Sequence, residues 1–228
     1  MTQPSTIQTK DTRILVVTAV EAEREAVLRG LSQAGAIHYD VIAGGVGPAA
    51  VAARTAAMLA TAGHRYQLVI SAGIGGGFPG RAAIGELVIA DTIVSADLGA
   101  ETPNGFLSVD ELGFGTSRID SHAKWNQKLL AQLAGAGLAC ALAPILTVSS
   151  ATGTAATAAL RERLVPGAAA EGMEGFGVAI AAAQQGVPAT EVRAISNAVG
   201  PRDRSAWRIG DALKALENAF AAFASIAP

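Results

Sequence analysis

Arg13-Ile14-Leu15-Val16-Val17-Thr18, followed at once by Ala19-Val20-Glu21-Ala22-Glu23-Arg24-Glu25, is the stretch on which the fold turns. The first six residues are mostly aliphatic and β-branched, and apolar without alternation. That pattern reads as a strand buried on both faces. The helix Glu21–Gln33 follows, with Ala22, Ala26, Val27 and Leu31 on one side and Gly35 as its stop signal. A buried strand that runs straight into a helix is the repeating unit of α/β architecture.

The rest of the chain repeats that unit. Tyr39–Ala43 reads as a strand broken by Gly44, Gly45 and Gly47, and Pro48 opens a helix that runs to about residue 62. Residues 67–71 read as a third strand that ends in a glycine-rich loop at 73–77, and 87–94 as a fourth. Residues 100–116 read as a loop, 122–134 as a helix, 139–148 as a strand, 154–163 as a helix and 168–170 as a short strand. An Ala-rich helix at 173–183, a strand at 189–196 and a closing helix at 206–226 complete the pattern. This alternation predicts an α/β fold: one domain over residues 13–228, a three-layer αβα sandwich with a mixed central sheet, preceded by a disordered tail at 1–12. In such folds the loops at the carboxyl ends of the strands carry the site.

Composition narrows the function classes. The chain has 228 residues, 50% hydrophobic and 16% charged, enough to bury a sizeable core. A formal net charge of −2 and the lack of any basic run argue against nucleic acid as a partner. The longest apolar stretch, residues 133–146, holds two glycines and a proline and is too short to span a bilayer, so no membrane role is expected. Cys140 is the only cysteine and reads as a core residue of a cytoplasmic protein. His38, His64 and His122 match no metal-ligand spacing, so neither a metal nor any other cofactor is expected.

Five constellations fall at predicted strand ends. Gly45-Val46-Gly47-Pro48-Ala49-Ala50 loosely matches a dinucleotide fingerprint, but the next strand ends in Ser71-Ala72-Gly73, with no acid to hold a ribose. Tight turning and close packing are the better account of those glycines. Gly73, Ile74, Gly75 and Gly76 bare the backbone at a strand end, where a ligand can lie against it. Glu21-Ala22-Glu23-Arg24-Glu25 is either a solvated helix start or the place of a general base. Glu171-Gly172-Met173-Glu174-Gly175 sets two acids in an apolar run, where a charge must be paired, solvated or functional, and its glycines would let a ligand reach them. Ser196-Asn197 ends a strand with an amide that both donates and accepts, which suits a heterocycle edge.

In this order the stations resemble the nucleoside phosphorylase and nucleosidase superfamily. Residues 19–23 are similar to the glutamate-rich first loop of methylthioadenosine/S-adenosylhomocysteine nucleosidases, and 44–53 to their Ser-Gly-Ile-Gly segment. Residues 72–77 are similar to their glycine-rich loop, 171–174 to their Glu-Met-Glu motif, and 192–197 to their Val-Arg-Ala-Ile-Ser-Asp strand. Ser196-Asn197-Ala198-Val199-Gly200 with Arg202-Asp203, together with Gly172-Met173-Glu174-Gly175, resembles the futalosine hydrolase family most. The resemblance implies a nucleoside phosphorylase-like fold, assembly as a homodimer or larger homo-oligomer, and a purine nucleoside as substrate. It further implies hydrolysis of an N-ribosidic bond, with release of hypoxanthine from futalosine on a route to menaquinone.

The site roles implied are these. Glu23 deprotonates water, Glu174 holds ribose hydroxyls and stabilises a cationic sugar, and Met173 packs on the sugar. Asn197 binds the base edge and Ser196 orients it. Glu171 and the 73–76 glycine segment are expected to line the substrate. The adenine-specific nucleosidases carry Asp where this chain has Asn197. An anionic Asp would face the carbonyl of a 6-oxopurine unfavourably, whereas Asn donates to O6 and accepts from a protonated N7. Those relatives also place a Phe near the equivalent of Val148-Ser149-Ser150-Ala151-Thr152-Gly153, where this chain has no aromatic. Phe176, another loop or a partner subunit is expected to stack on the base instead. The alternatives are a methylthioadenosine/S-adenosylhomocysteine or aminodeoxyfutalosine nucleosidase, a purine nucleoside phosphorylase, a nucleoside-binding module without activity and a Rossmann-type oxidoreductase.

Overall fold

The computed structural model describes residues 12–62 and 65–226. The expected tail, Thr12 excepted, and His64 lie outside the described residues. The elements follow the order β1 (Arg13–Thr18), α1 (Glu21–Gln33), β2 (Tyr39–Ala43), α2 (Pro48–Thr61), β3 (Tyr66–Gly77) and β4 (Leu87–Ser95). Then come β5 (Gly99–Thr102), β6 (Gly105–Ser108), β7 (Arg118–Asp120), α3 (Ala123–Gly135), β8 (Cys140–Thr147) and α4 (Ala155–Leu164). The last are β9 (Ala170–Gly172), α5 (Gly175–Gln184), β10 (Ala189–Ala198) and α6 (Ile209–Phe223).

The mixed sheet lies between two helical layers. Side chains alternate across β1: Ile14 and Val16 share a core with Val27 of α1, Leu129 of α3 and Phe220 of α6. Leu15 and Val17 share another with Val51 of α2 and with Val178 and Ala182 of α5. A strand read as apolar throughout is thus apolar because it serves two cores. Cys140 is half-buried at the start of β8, and burial pushes its thiol up to about 11.

The sheet also rolls up at one end. β3 pairs with β10, β10 with β4, β4 with β8, β8 with β9, and β9 again with β3, so five strands close a ring. β1 and β2 extend the sheet from the first half of β3. Two local expectations change as a result. The glycine segment at 73–77 is strand rather than loop, because Ile74, Gly75, Gly76 and Gly77 pair with β10. Tertiary pairing overrides glycine's poor strand propensity here. Residues 100–116 are not loop throughout either: β5 and β6 form a hairpin there, its turn held by the Thr102 hydroxyl donating to the Gly105 carbonyl at 2.7 Å.

Candidate active site

The site forms where β3 changes partners. β1 follows one edge of β3 as far as Val17 opposite Ser71, and β9 takes over that edge at Gly76 opposite Glu171. Between them the edge faces a cavity of about 270 Å³. That is close to the lower end of the roughly 300–1,000 Å³ typical of small-molecule pockets. This strand-switching crevice is where open α/β sheets bind ligands.

Glu23 enters from the first turn of α1 and is 4% exposed. Its Oε2 accepts from the Ala19 and Val20 N–H groups at 2.9 and 3.3 Å, and its Oε1 from the Ile74 N–H at 2.9 Å. A carboxylate offers about four acceptor positions. Three are taken by backbone, which fixes the side chain and leaves room for one further donor such as water. The local cause is the helix start: Glu23 is the third residue of α1 and folds back over the N–H groups that the first turn leaves unpaired.

Glu174 caps α5 and is 5% exposed. Its Oε1 accepts from the Gly47 N–H at 3.1 Å, and its Oε2 from Arg193 Nη1 at 3.1 Å and the Met173 N–H at 3.3 Å. Gly47 presents that N–H because its φ of 88° turns the chain into α2, a left-handed conformation that favours glycine. Pro48 occupies the first helical position, as expected.

Asn197 is aimed by a bulge. The register between β10 and β3 slips between Ile195 and Asn197, leaving Ser196 as the extra residue. The Ser196 hydroxyl lies 2.8 Å from Asn197 Oδ1 and 3.2 Å from the Gly75 carbonyl. Asn197 Nδ2 donates to the Ala198 carbonyl at 3.0 Å. One amide hydrogen and one acceptor position remain for a ligand.

Of the expected residues, Glu23, Glu174, Asn197, Ser196, Met173, Glu171, Ile74, Gly75 and Gly76 line this cavity together. One expectation needs an addition and two need correction. Glu171 lines the cavity, and its carboxylate accepts from the Thr152 N–H at 2.7 Å and from the Thr152 hydroxyl, with Arg161 beside it at 3.8 Å. Those bonds give it the added task, not foreseen in the sequence, of pinning the loop after β8. Phe176 is in the α2/α5 core, 8% exposed, and lies outside the cavity lining, so it is not placed to stack on a base. Gly73, Gly172 and Gly175 do not open a path for a ligand. A Cβ on Gly73 would stand 2.5 Å from Glu23 Oε1 and 2.7 Å from Arg193 Nη1, and one on Gly172 would stand 2.8 Å from the Arg193 guanidinium. A Cβ on Gly175 would overlap the Glu191 carboxylate. These glycines make room for charged side chains.

Sequence reasoning missed Arg193 and gave Trp207 no definite place. Arg193 is 1% exposed, and its guanidinium reaches Glu191 Oε1 at 2.7 Å and Glu174 Oε2 at 3.1 Å. It also donates to the Ile74 carbonyl and the Ser71 hydroxyl, both at 3.3 Å. Burial alone would lower its pKa, but Glu191, Glu174 and Glu23 hold it well above the ordinary arginine value. The available signal was two charges, Glu191 and Arg193, two apart on one face of an otherwise apolar strand. Trp207 lines the cavity with Arg202, whose guanidinium lies 5.5 Å from the indole centre. It is the aromatic side chain of the cavity wall, supplied from the loop before α6.

Comparison with known proteins agrees with this fold. The phosphorylase superfamily model matches residues 31–227. A futalosine hydrolase of Streptomyces coelicolor is 50% identical over 229 residues, covering 93% of this chain and 95% of that protein. One from Acidothermus cellulolyticus is 46% identical, covering 91% and 88%. Among solved structures, the native futalosine hydrolase of Helicobacter pylori superposes with a TM-score of 0.79 at 16% identity, covering 92% and 96%. The 5′-methylthioadenosine/S-adenosylhomocysteine nucleosidase of Neisseria meningitidis, in complex with methylthio-immucillin-A, gives 0.78 at 16%, covering 94% and 100%. At such identities the structural matches establish the fold, and the curated relatives establish the family. This chain belongs to the phosphorylase superfamily and, within it, to the futalosine hydrolases.

Proposed function

We propose that this cavity hydrolyses the N-ribosidic bond of futalosine, releasing hypoxanthine and dehypoxanthine futalosine, as a cytoplasmic step toward menaquinone. The observation that carries the reading is the convergence of Glu23 and Glu174, both buried, on one cavity that Asn197 also lines. Breaking the bond from the purine N9 to the ribosyl C1′ leaves positive charge on the sugar and negative charge on the base. Carboxylates already in place stabilise the first without reorganisation. Glu23 takes a proton from water as its oxygen bonds to C1′. Glu174 holds the ribose hydroxyls and faces the cationic ring, and Met173 packs against the sugar. The N9–C1′ electron pair leaves with the base, which takes up a proton from solvent at N7; Asn197 Oδ1 accepts a hydrogen bond from that N7–H, while Nδ2 donates to O6. The chemistry asks for no cofactor.

Phosphate is a poor substitute for water here, since the Glu23 carboxylate would repel it and the Arg193 guanidinium is already paired with Glu174 and Glu191. We also propose a homodimer or larger homo-oligomer. Val20 and Val46 at the rim of the cavity are 42% and 57% exposed, and a second copy would cover them.

The test is a product assay. Purified protein is incubated with futalosine, inosine and methylthioadenosine, with and without phosphate, and free base is followed by chromatography. Hypoxanthine from futalosine at a phosphate-independent rate, with little adenine, is expected. Dependence on phosphate would turn the reading to phosphorolysis, and adenine release would overturn the role given to Asn197.

A further inference from the structure

The reaction just described leaves Glu191 without a role, although its setting is unusual. It is 0% exposed, and its Oε1 accepts from Arg193 Nε at 2.7 Å. Its Oε2 is buried with no hydrogen-bond partner among the described residues. An ionisable group so enclosed is costly to keep unless it serves its neighbours. Three backbone positions are adapted to it and to its partner. Gly175 at the head of α5 leaves the volume that the Glu191 carboxylate fills, and Gly172 and Gly73 leave room for the guanidinium.

Resting on the nucleosidase reading, we infer that Glu191 is a positioning residue for that reaction: it holds and neutralises Arg193 so that Glu174 keeps its negative charge for the sugar. The geometry divides the guanidinium between two carboxylates. The Nε edge goes to Glu191 and the Nη1 end to Glu174. Without a counter-ion on the Nε edge, the whole cation would face Glu174 and Glu23, and would oppose the positive charge developing on the ribose. With Glu191 in place, the cation is locally balanced and acts on Glu174 chiefly as a hydrogen-bond donor that fixes its orientation. The charged groups around Glu191 are Arg193 on its own strand, Glu174 at the head of α5 and, beyond the guanidinium, Glu23 from α1. β3 presents the Ser71 hydroxyl to the same guanidinium. Burial raises the Glu191 carboxyl first of all, Arg193 draws it down, and the balance stays on the raised side.

Glu191→Gln and Gly175→Ala test this by separate routes. The first removes the charge at nearly constant shape. The second leaves every charged group in the chain and crowds the Glu191 carboxylate off Arg193. Steady-state kinetics with futalosine across pH give kcat and KM, and thermal unfolding gives the folded fraction. Both variants should lower kcat about 10–100-fold while KM stays within about threefold, since the lost interaction acts in the transition state. In Glu191→Gln the acid limb of the pH–rate profile should move to lower pH, because one guanidinium is then shared by two carboxylates instead of three. A folded variant with unchanged kcat, or one in which kcat and KM change together with no movement of the acid limb, would overturn the positioning role. Absence of hypoxanthine from the unaltered chain would instead overturn the nucleosidase reading, and this one with it.

Discussion

Two ionic clusters sit at opposite ends of β1, and they are balanced in opposite senses. At the amino end Asp40 receives Arg13 through two hydrogen bonds of 2.8 Å, Arg65 at 3.2 Å and the Tyr66 hydroxyl at 2.8 Å. One carboxylate there meets two guanidinium groups and a phenol. Burial works to raise the Asp40 carboxyl, but the bonds from Arg13 and Tyr66 and the two nearby cations bring it below its ordinary value. At the carboxyl end Glu23, Glu174 and Glu191 surround Arg193, so three carboxylates share one guanidinium. In the first arrangement the carboxylate is fully engaged in the resting protein and the cations are in excess. The second has a surplus of negative charge, stabilised by backbone N–H groups and open to a cavity, and a positive charge that forms during reaction completes it. Surplus, rather than burial or charge alone, separates the reactive cluster from the structural one.

The largest effect should come from removing that surplus. Glu23→Gln and Glu174→Gln should each reduce kcat about 10²–10⁴-fold, the usual contribution of a general acid–base group, with little change in melting temperature. Near-normal turnover in either variant would erase the distinction between the two ends. Asp40→Asn should do the reverse. Stability should fall by about 1–2 kcal/mol as two guanidinium groups lose their carboxylate, lowering Tm by about 2–4 °C per kcal/mol, while kcat and KM hold. A drop in kcat would mean that the amino end reaches the reaction after all. The smallest effect belongs to Glu217 on α6, which accepts from Lys214, Arg29 and Gln33, and whose carboxyl those bonds draw down to about 2. A lowered carboxyl stabilises the fold above its unfolded value, and that contribution is lost as pH falls toward the folded value. The stability gap between the unaltered chain and Glu217→Gln, under about 1 kcal/mol at neutral pH, should therefore close as pH drops from about 4.5 to about 2. Urea unfolding at several pH values measures it.

Much of this was legible in the residues. β1, α1 and β2 begin and end where local pattern places them, because apolar continuity, a helix stop and a glycine break are local signals. Glu23, Glu174 and Asn197 were located because each follows a strand end or sits as a charge in an apolar run, and resemblance then supplied their roles. What escaped depends on contacts distant in sequence. The 73–77 segment is strand because β10 lies beside it, and four glycines in five residues give no local hint of that. Phe176 was one of three expected sources of stacking on the base, but the first turn of α5 carries it into the core. Arg193 was passed over because its pairing with Glu191 along the strand shows nothing of its link to Glu174 until the α5 head, β3 and α1 are folded around it.

Ile74 gives the cavity a reporter. Between the end of β1 and the start of β9 no strand among the described residues pairs with that edge of β3, and the Ile74 N–H is closed by the Glu23 carboxylate instead. Sheet continuity and the proposed proton acceptor therefore rest on one side chain. The exchange rate of a single amide with deuterated solvent consequently tracks the carboxylate: slow while Glu23 is seated, and fast whenever it swings away.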